Sequence, residues 1–243
     1  MTTQDPLAQE LFPTGRLRVG VAYAPRPTPI FVARAADGTY QGVPLDLSQA
    51  LAQSLGVPIE VVAAATTAEL TQACLSGAID LGFMPADEAR REHLDFSPPY
   101  FVIESTFLVA GPTGLASLAD VDRAGITVVG IAGSTTIRAA QRSLGTATVV
   151  AAKSIDEAMA LMKSGQAQAF ALTHDALPPL QQTLPGSRIL EGSFQVTGVA
   201  MALCRHRPAA LARITRFMQE AKASGLVRRA FDAAGLGGLR VAP

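Results

Sequence analysis

Short apolar runs punctuate the chain: LRVGVAY (17–23), IEVVAAA (59–65), AIDLGFM (78–84), ITVVGIA (126–132) and QAFALT (168–173). They are partly β-branched and bounded by Gly, Pro or Ser, which predicts buried strands. The intervals carry helical spacing. In LDLSQALAQSLG (45–56), Leu47, Leu51 and Leu55 recur at steps of four, and Gly56 with Pro58 behind it predicts the stop. In RPAALARITRFMQEAKASGLVRRAF (207–231), Leu211, Ile214, Phe217 and Met218 share one helical face. Strands alternating with helices predict parallel sheets covered on their faces.

One unit is written twice. VVAAATTAELTQACLSGAIDLGF starts at Val61 and VVAAKSIDEAMALMKSGQAQAFAL at Val149. Each has an apolar strand and then a capping box, Thr66 with Glu69 and Ser154 with Glu157, whose side chains can satisfy orphan amides at a helix start. Each helix closes at Ser-Gly (Ser76-Gly77, Ser164-Gly165) before another strand. Two lobes of similar construction are expected, against the alternative that βαβ units simply look alike. The strand YFVIESTFLVAG (100–111) would cross between them and FQVTGVAMALC (194–204) would return. The expected organisation is an N-terminal extension over 1–16, a first lobe over 17–104 plus 198–243, and a second over 105–197. Two crossings make a hinge and a cleft, where ligands collect.

Composition narrows the function. The chain has 243 residues, with Lys plus Arg and Asp plus Glu balanced at 20 each. No global field therefore recruits nucleic acid or an anionic membrane. No apolar run reaches the ~18 residues of a membrane span. His93, His174 and His206 lack metal-ligand spacing, and Cys74 and Cys204 make no disulfide framework. Neither metal nor cofactor is expected, and a monomer is. MTTQDPLAQELFPTG shows neither a basic nor an apolar signal region. As written the chain reads as cytoplasmic, or as periplasmic if an export signal was removed.

The candidate chemistry centres on FMPADEARREHLDFSPPY (83–100), where Asp87 can cap a helix that carries Arg90. Arg90 has two readings: a surface residue, either in an i to i+3 ion pair with Asp87 or plainly solvent-exposed, or a cation that holds a ligand anion. Glu104 sits inside the apolar crossing strand, where burial without a partner would cost several kcal/mol. It either faces solvent or lines a cleft and receives an amine.

GVPLDLSQALAQSLG (42–56), MPADEAR followed by LDFSPPY, and GSTT (133–136) together resemble the family 3 extracellular solute-binding proteins. The resemblance runs from about Leu17 to about Gly235. It implies a two-lobed type II periplasmic-binding-protein-like fold, each lobe a mostly parallel sheet flanked by helices with a two-strand hinge. It also implies a small carboxylate ligand, an amino acid or analogue, and an ABC transporter permease as partner. By that resemblance Arg90 clamps the α-carboxylate, Ser134 and Thr135 assist, and Phe83 and Met84 are expected to be ligand-binding as well. Departures accompany the match. Pro85 stands where the family has a hydroxyl, and Asp87 replaces a threonine. The aromatic platform falls near Pro25 and on Thr67, with Tyr23 as a partial substitute. The acid that takes the α-amino group falls on Thr173, with Asp175 two residues on. The competing functions are a lyase of cyclohexadienyl-dehydratase type on the same fold, and a ligand-sensing domain. Against the lyase stands the lack of a nucleophile-base pair or metal set, and against the sensor the lack of a helix-turn-helix before Leu17.

Overall fold

The computed structural model describes residues 5–24, 26–35 and 37–243. Contacts divide the chain into two units, Met1–Val102 with Gly198–Pro243, and Ile103–Thr197. On the outward crossing the division falls before Ile103, so Glu104 belongs to the second unit.

The chain opens with α1 (Pro6–Leu11), capped by Asp5, and continues into β1 (Leu17–Ala24), β2 (Phe31–Arg34) and β3 (Tyr40–Gln41). Next come α2 (Val43–Leu55), β4 (Ile59–Ala64), α3 (Thr67–Leu75) and β5 (Leu81–Pro85). The short α4 (Glu88–Arg91) and β6 (Leu94–Phe96) complete the outward path of the first unit. Helix α2 stops where expected, on Gly56 in the left-handed region at φ 69°. β1 is the centre of the sheet, parallel to β4 along Leu17–Ala22, to β2 along Ala22–Ala24 and to β5 at Val19–Gly20. Gly20 lets the next layer close in, since a Cβ there would lie 2.8 Å from a Leu70 methyl. At the foot of the sheet, Asp80 is fully buried and takes Arg18 through both oxygens, at 3.0 and 2.6 Å.

The second unit runs from β7 (Phe101–Val109) through α5 (Leu118–Val121), β8 (Thr127–Ile131) and α6 (Thr135–Ser143). It continues with β9 (Thr148–Ala152), α7 (Ile155–Lys163), β10 (Ala169–Thr173), α8 (Leu177–Gln182) and β11 (Arg188–Ile189). β10 lies between β8, parallel, and β7, antiparallel, with β9 parallel outside β8. Adjacent residues feed opposite cores. Leu108, Val129 and Phe170 pack with Met159 and Met162, whereas Phe107, Val128 and Ala171 pack with Val121 and Ala140. With both faces covered, these strands have no polar alternation to display.

β12 (Gln195–Cys204) returns to the first unit, pairing antiparallel with β5 and β6. Helices α9 (Pro208–Ala223) and α10 (Leu226–Ala233) follow. The stretch expected as an N-terminal extension is partly docked structure. Glu10 accepts the Ala210 amide at 2.9 Å, supplying the start of α9 with the acceptor that its own N-cap Arg207 lacks. Among the described residues no helix is long and apolar enough to cross a membrane.

The repeat holds to the level of single hydrogen bonds. The amides of Glu69 and Glu157 reach Thr66 Oγ1 and Ser154 Oγ at 3.1 and 3.2 Å. The glutamates answer at the residue before each cap, accepting from the amides of Ala65 and Lys153 at 2.9 and 2.7 Å.

Candidate functional site

In parallel sheets ligand-binding residues gather beyond the carboxyl ends of the strands. In the first unit β1, β4 and β5 run the same way, so their ends place Tyr23, the α3 start at Thr67, and Asp87 with Arg90 along one edge. Asp87 caps α4, its Oδ1 accepting the Arg90 amide at 3.0 Å. One turn of helix then folds the Arg90 side chain back over the strand end, where the residue is only 8% exposed.

The Arg90 guanidinium is held on several sides. Its Nε donates to Thr71 Oγ1 at 3.1 Å and its Nη2 to Thr67 Oγ1 at 3.0 Å. Its Nη1 donates to the Pro85 carbonyl at 3.1 Å and to Asp87 Oδ2 at 3.2 Å. Both sequence readings of Arg90 therefore bear on one arrangement: it is paired with Asp87, and it is buried at a strand end rather than spread on a surface. Pro85 has no amide proton to give, but its carbonyl is used. Thr71 went unnamed in the sequence; its signal was its place four residues after Thr67 on the same helix face. The Thr71 hydroxyl donates to the Thr67 carbonyl at 2.9 Å, leaving its oxygen lone pairs for Arg90.

Other expected residues of this unit sit differently. Phe83 and Met84 are fully buried: Phe83 lies edge-on to Tyr100 at 5.9 Å, and Met84 packs with Leu70 and Cys74. They build the floor under the edge and present no surface of their own. Tyr23 is 44% exposed and lies against Tyr40, ring centres 6.4 Å apart. Pro25 lies outside the described residues. Beyond α4, Tyr100 is buried and donates to the Pro29 carbonyl at 2.6 Å, and burial pushes its phenol well above the ordinary range.

The second unit has its own edge. Ser134 caps α6, its Oγ accepting the Ile137 amide at 3.1 Å. The amides of Thr135 and Thr136 have no acceptor among the described residues, and a helix start with open N–H groups favours an anion. Arg138 Nη1 donates to the Gly133 carbonyl at 2.9 Å, adding a guanidinium to that turn. Thr136 is buried and its hydroxyl meets that of Ser105 at 3.2 Å. Ser105 pairs in register with Thr173 across β7 and β10, so the α6 start, Ser105 and Thr173 come together, while the Glu104 side chain points to the opposite face of β7. Asp175 follows, exposed, in a 3-10 turn. Ser105 and Thr136 were not singled out in the sequence. Glu104 is exposed, so the desolvation cost weighed from the sequence does not arise, and a general acid shielded from water is not what this residue provides. Among the described residues no group of three or more His, Cys, Asp or Glu could hold a metal.

Two α/β units, joined by two chain crossings and each with polar side chains and helix starts at its strand ends, define the chain as a protein of the periplasmic-binding class. Its residues 17–233 match the family model described as bacterial extracellular solute-binding proteins, family 3, and the chain belongs to that family. The glutamine-binding protein of Geobacillus stearothermophilus is 27% identical over 185 residues, which are 74% of this chain and 69% of that protein. Among solved structures, a mutant of ArgBP from T. maritima is 24% identical with a TM-score of 0.69, covering 94% of this chain and 99% of that one. A binding component of an ABC transporter from Wolinella succinogenes, complexed with lysine, is 21% identical with a TM-score of 0.70, covering 90% and 95%.

Proposed function

We propose that this solute-binding protein captures a free amino acid or a close analogue through its carboxylate and delivers it to an ABC-type permease. The observation that carries the reading is Arg90: a guanidinium held at a strand end by Thr67, Thr71, Pro85 and Asp87. A fork fixed in this way loses little freedom when it meets a planar carboxylate. In this reading the first unit supplies the cation. The α6 start at Ser134 and Thr135, in the second unit, offers N–H groups of its own to an anion. The relatives named for glutamine and ArgBP, and the structure holding lysine, support an amino acid as the class of ligand. The family's extracellular setting supports work outside the cytoplasmic membrane, which fractionation of the producing cell tests. The ligand reading is tested by a thermal-shift screen of the twenty amino acids. At least one is expected to raise Tm by several degrees through linkage; no shift with any of them at millimolar concentration contradicts it.

A further inference from the structure

The first unit holds a cavity of about 430 Å³ between the start of α2 and the end of α10, two helices that pack on each other. None of the residues that line it belongs to the Arg90 site. Asp46 enters it from the first turn of α2, partly buried. Burial alone pushes its carboxyl above the ordinary value, and among the described residues no hydrogen bond or cation offsets that effect. On the opposite wall α10 ends at its C-cap Ala234. The carbonyls of Ala230, Phe231 and Asp232 accept the amides that follow the helix, whereas those of Ala233 and Ala234 have no donor among the described residues. Open carbonyls there carry the negative pole of the helix. The start of α2 does not offset them with donors. Pro44 has no N–H, and the amides of Leu45 and Asp46 both close on the Gly42 carbonyl, at 3.0 and 3.1 Å. A carboxylate and bare helix-end carbonyls around one cavity repel an anion and leave Asp46 short of a cation.

Charge, size and surface decide which cation. Among the described residues no group of three or more His, Cys, Asp or Glu could hold a metal, so a divalent ion would meet a single carboxylate and keep most of its water. The cavity is also far larger than a bare ion and falls within the ~300–1,000 Å³ of small-ligand pockets. Pro27 and Ala234 give it apolar wall. A primary ammonium on a short aliphatic stem answers all of this, because its N–H groups are donors only and its stem can lie on the apolar wall. We propose that the cavity between α2 and α10 is a second binding site, which takes a primary ammonium on an aliphatic stem through Asp46 and the carbonyls of Ala233 and Ala234. The site is separate from the proposed amino-acid site and does not rest on that reading.

The test is a nuclear magnetic resonance titration of the isotope-labelled full chain with n-butylammonium chloride at constant ionic strength. The amides of Gly42, Asp46, Ala234 and Gly235 are expected to shift together and to saturate at millimolar concentration. Asp46→Asn should weaken this binding about tenfold or more, as for a lost charge-assisted contact, and Ala234→Leu, which fills the cavity, should abolish it. If Asp46→Asn does not give the dispersed spectrum of a folded chain, Ala234→Leu carries the comparison. Nα-acetyl-L-lysine methylamide offers the same group on a peptide: an equal response assigns the site to a lysine of a partner chain as well as to a free amine, and no response restricts it to free amines. The proposal is overturned by the absence of a saturable shift, by shifts confined to the amides of Asp87 and Arg90, or by unchanged affinity in a folded Asp46→Asn. Calcium chloride producing the same saturable shifts would make this a metal site and overturn it too. None of these outcomes touches the amino-acid screen.

Discussion

Helices α3 and α7 start from the same local chemistry and end in different work. Both begin at a hydroxyl cap whose glutamate partner reaches back to the preceding residue, and both stop at Ser-Gly with the glycine at φ 74° and 75°. Yet where α3 has Thr67 and Thr71 on the turn facing Arg90, α7 has Ile155 and Met159, and Met159 packs into the core. Where α3 has Cys74, α7 has Met162. Capping fixes that a helix begins here; the side chains on its inward face decide whether it holds a cation or seals a core. One copy holds the Arg90 guanidinium, and the other seals a core.

The largest effect should come from the residue that α3 serves. Arg90→Ala leaves Asp87 buried without its ion-pair partner and should cost about 3–5 kcal/mol in urea unfolding; a loss under 1 kcal/mol would mean that α3 does not grip a buried pair. Exchanging the inward-facing residues comes next. Thr71→Val strips Arg90 Nε of its acceptor and should cost about 1–3 kcal/mol. The converse change, Met159→Thr in α7, should also destabilise, by about 2 kcal/mol, because it shrinks a packed core. If either substitution is neutral, the contrast between the two helices is wrong at that position.

The thiol on α3 gives a pH-dependent version of the same contrast. Burial pushes Cys74 from an ordinary 9.0 up to about 12. The folded chain then holds this proton where the unfolded chain loses it, so stability is complete below about pH 9 and falls as pH rises towards 12. The slope in that window should approach 1.4 kcal/mol per pH unit. Cys74→Val should remove this component of the pH dependence, measured as unfolding free energy between pH 8 and pH 10.5; an unchanged slope rules out Cys74 as its source. The smallest effects belong to the shared feature. Thr66→Ala and Ser154→Ala should each cost about 1 kcal/mol and agree within a few tenths, and a large disparity would show that the two caps are not equivalent.

What the sequence revealed follows the range of the interactions involved. The strands beginning at Leu17, Ile59 and Thr127, the stop of α2 at Gly56, and both caps rest on neighbours in the chain, and all are legible in it. Helix α1 was missed because its place depends on Glu10 meeting Ala210, a contact across 200 residues of chain. Arg90 was found through its spacing from Asp87, but Thr71 acts on it from a different element. Ser105 was hidden inside an apolar strand, and only the β7–β10 register and the α6 start give it a role. The Pro85 carbonyl was invisible for another reason: residue type says what a side chain can offer, not what a backbone oxygen can accept.

The central claim is that Arg90 is the anion-binding group of this solute-binding protein, and calorimetry on one set of variants tests it most directly. With an amino acid chosen by thermal shift, the native protein should give a saturable heat. Arg90→Ala and Arg90→Lys, each shown folded by circular dichroism, should weaken binding about a hundredfold or more, as expected for loss of a buried charge-assisted contact. Ser134→Ala should weaken it about tenfold or less, since the α6 amides remain. Native affinity in a folded Arg90 variant would contradict the account.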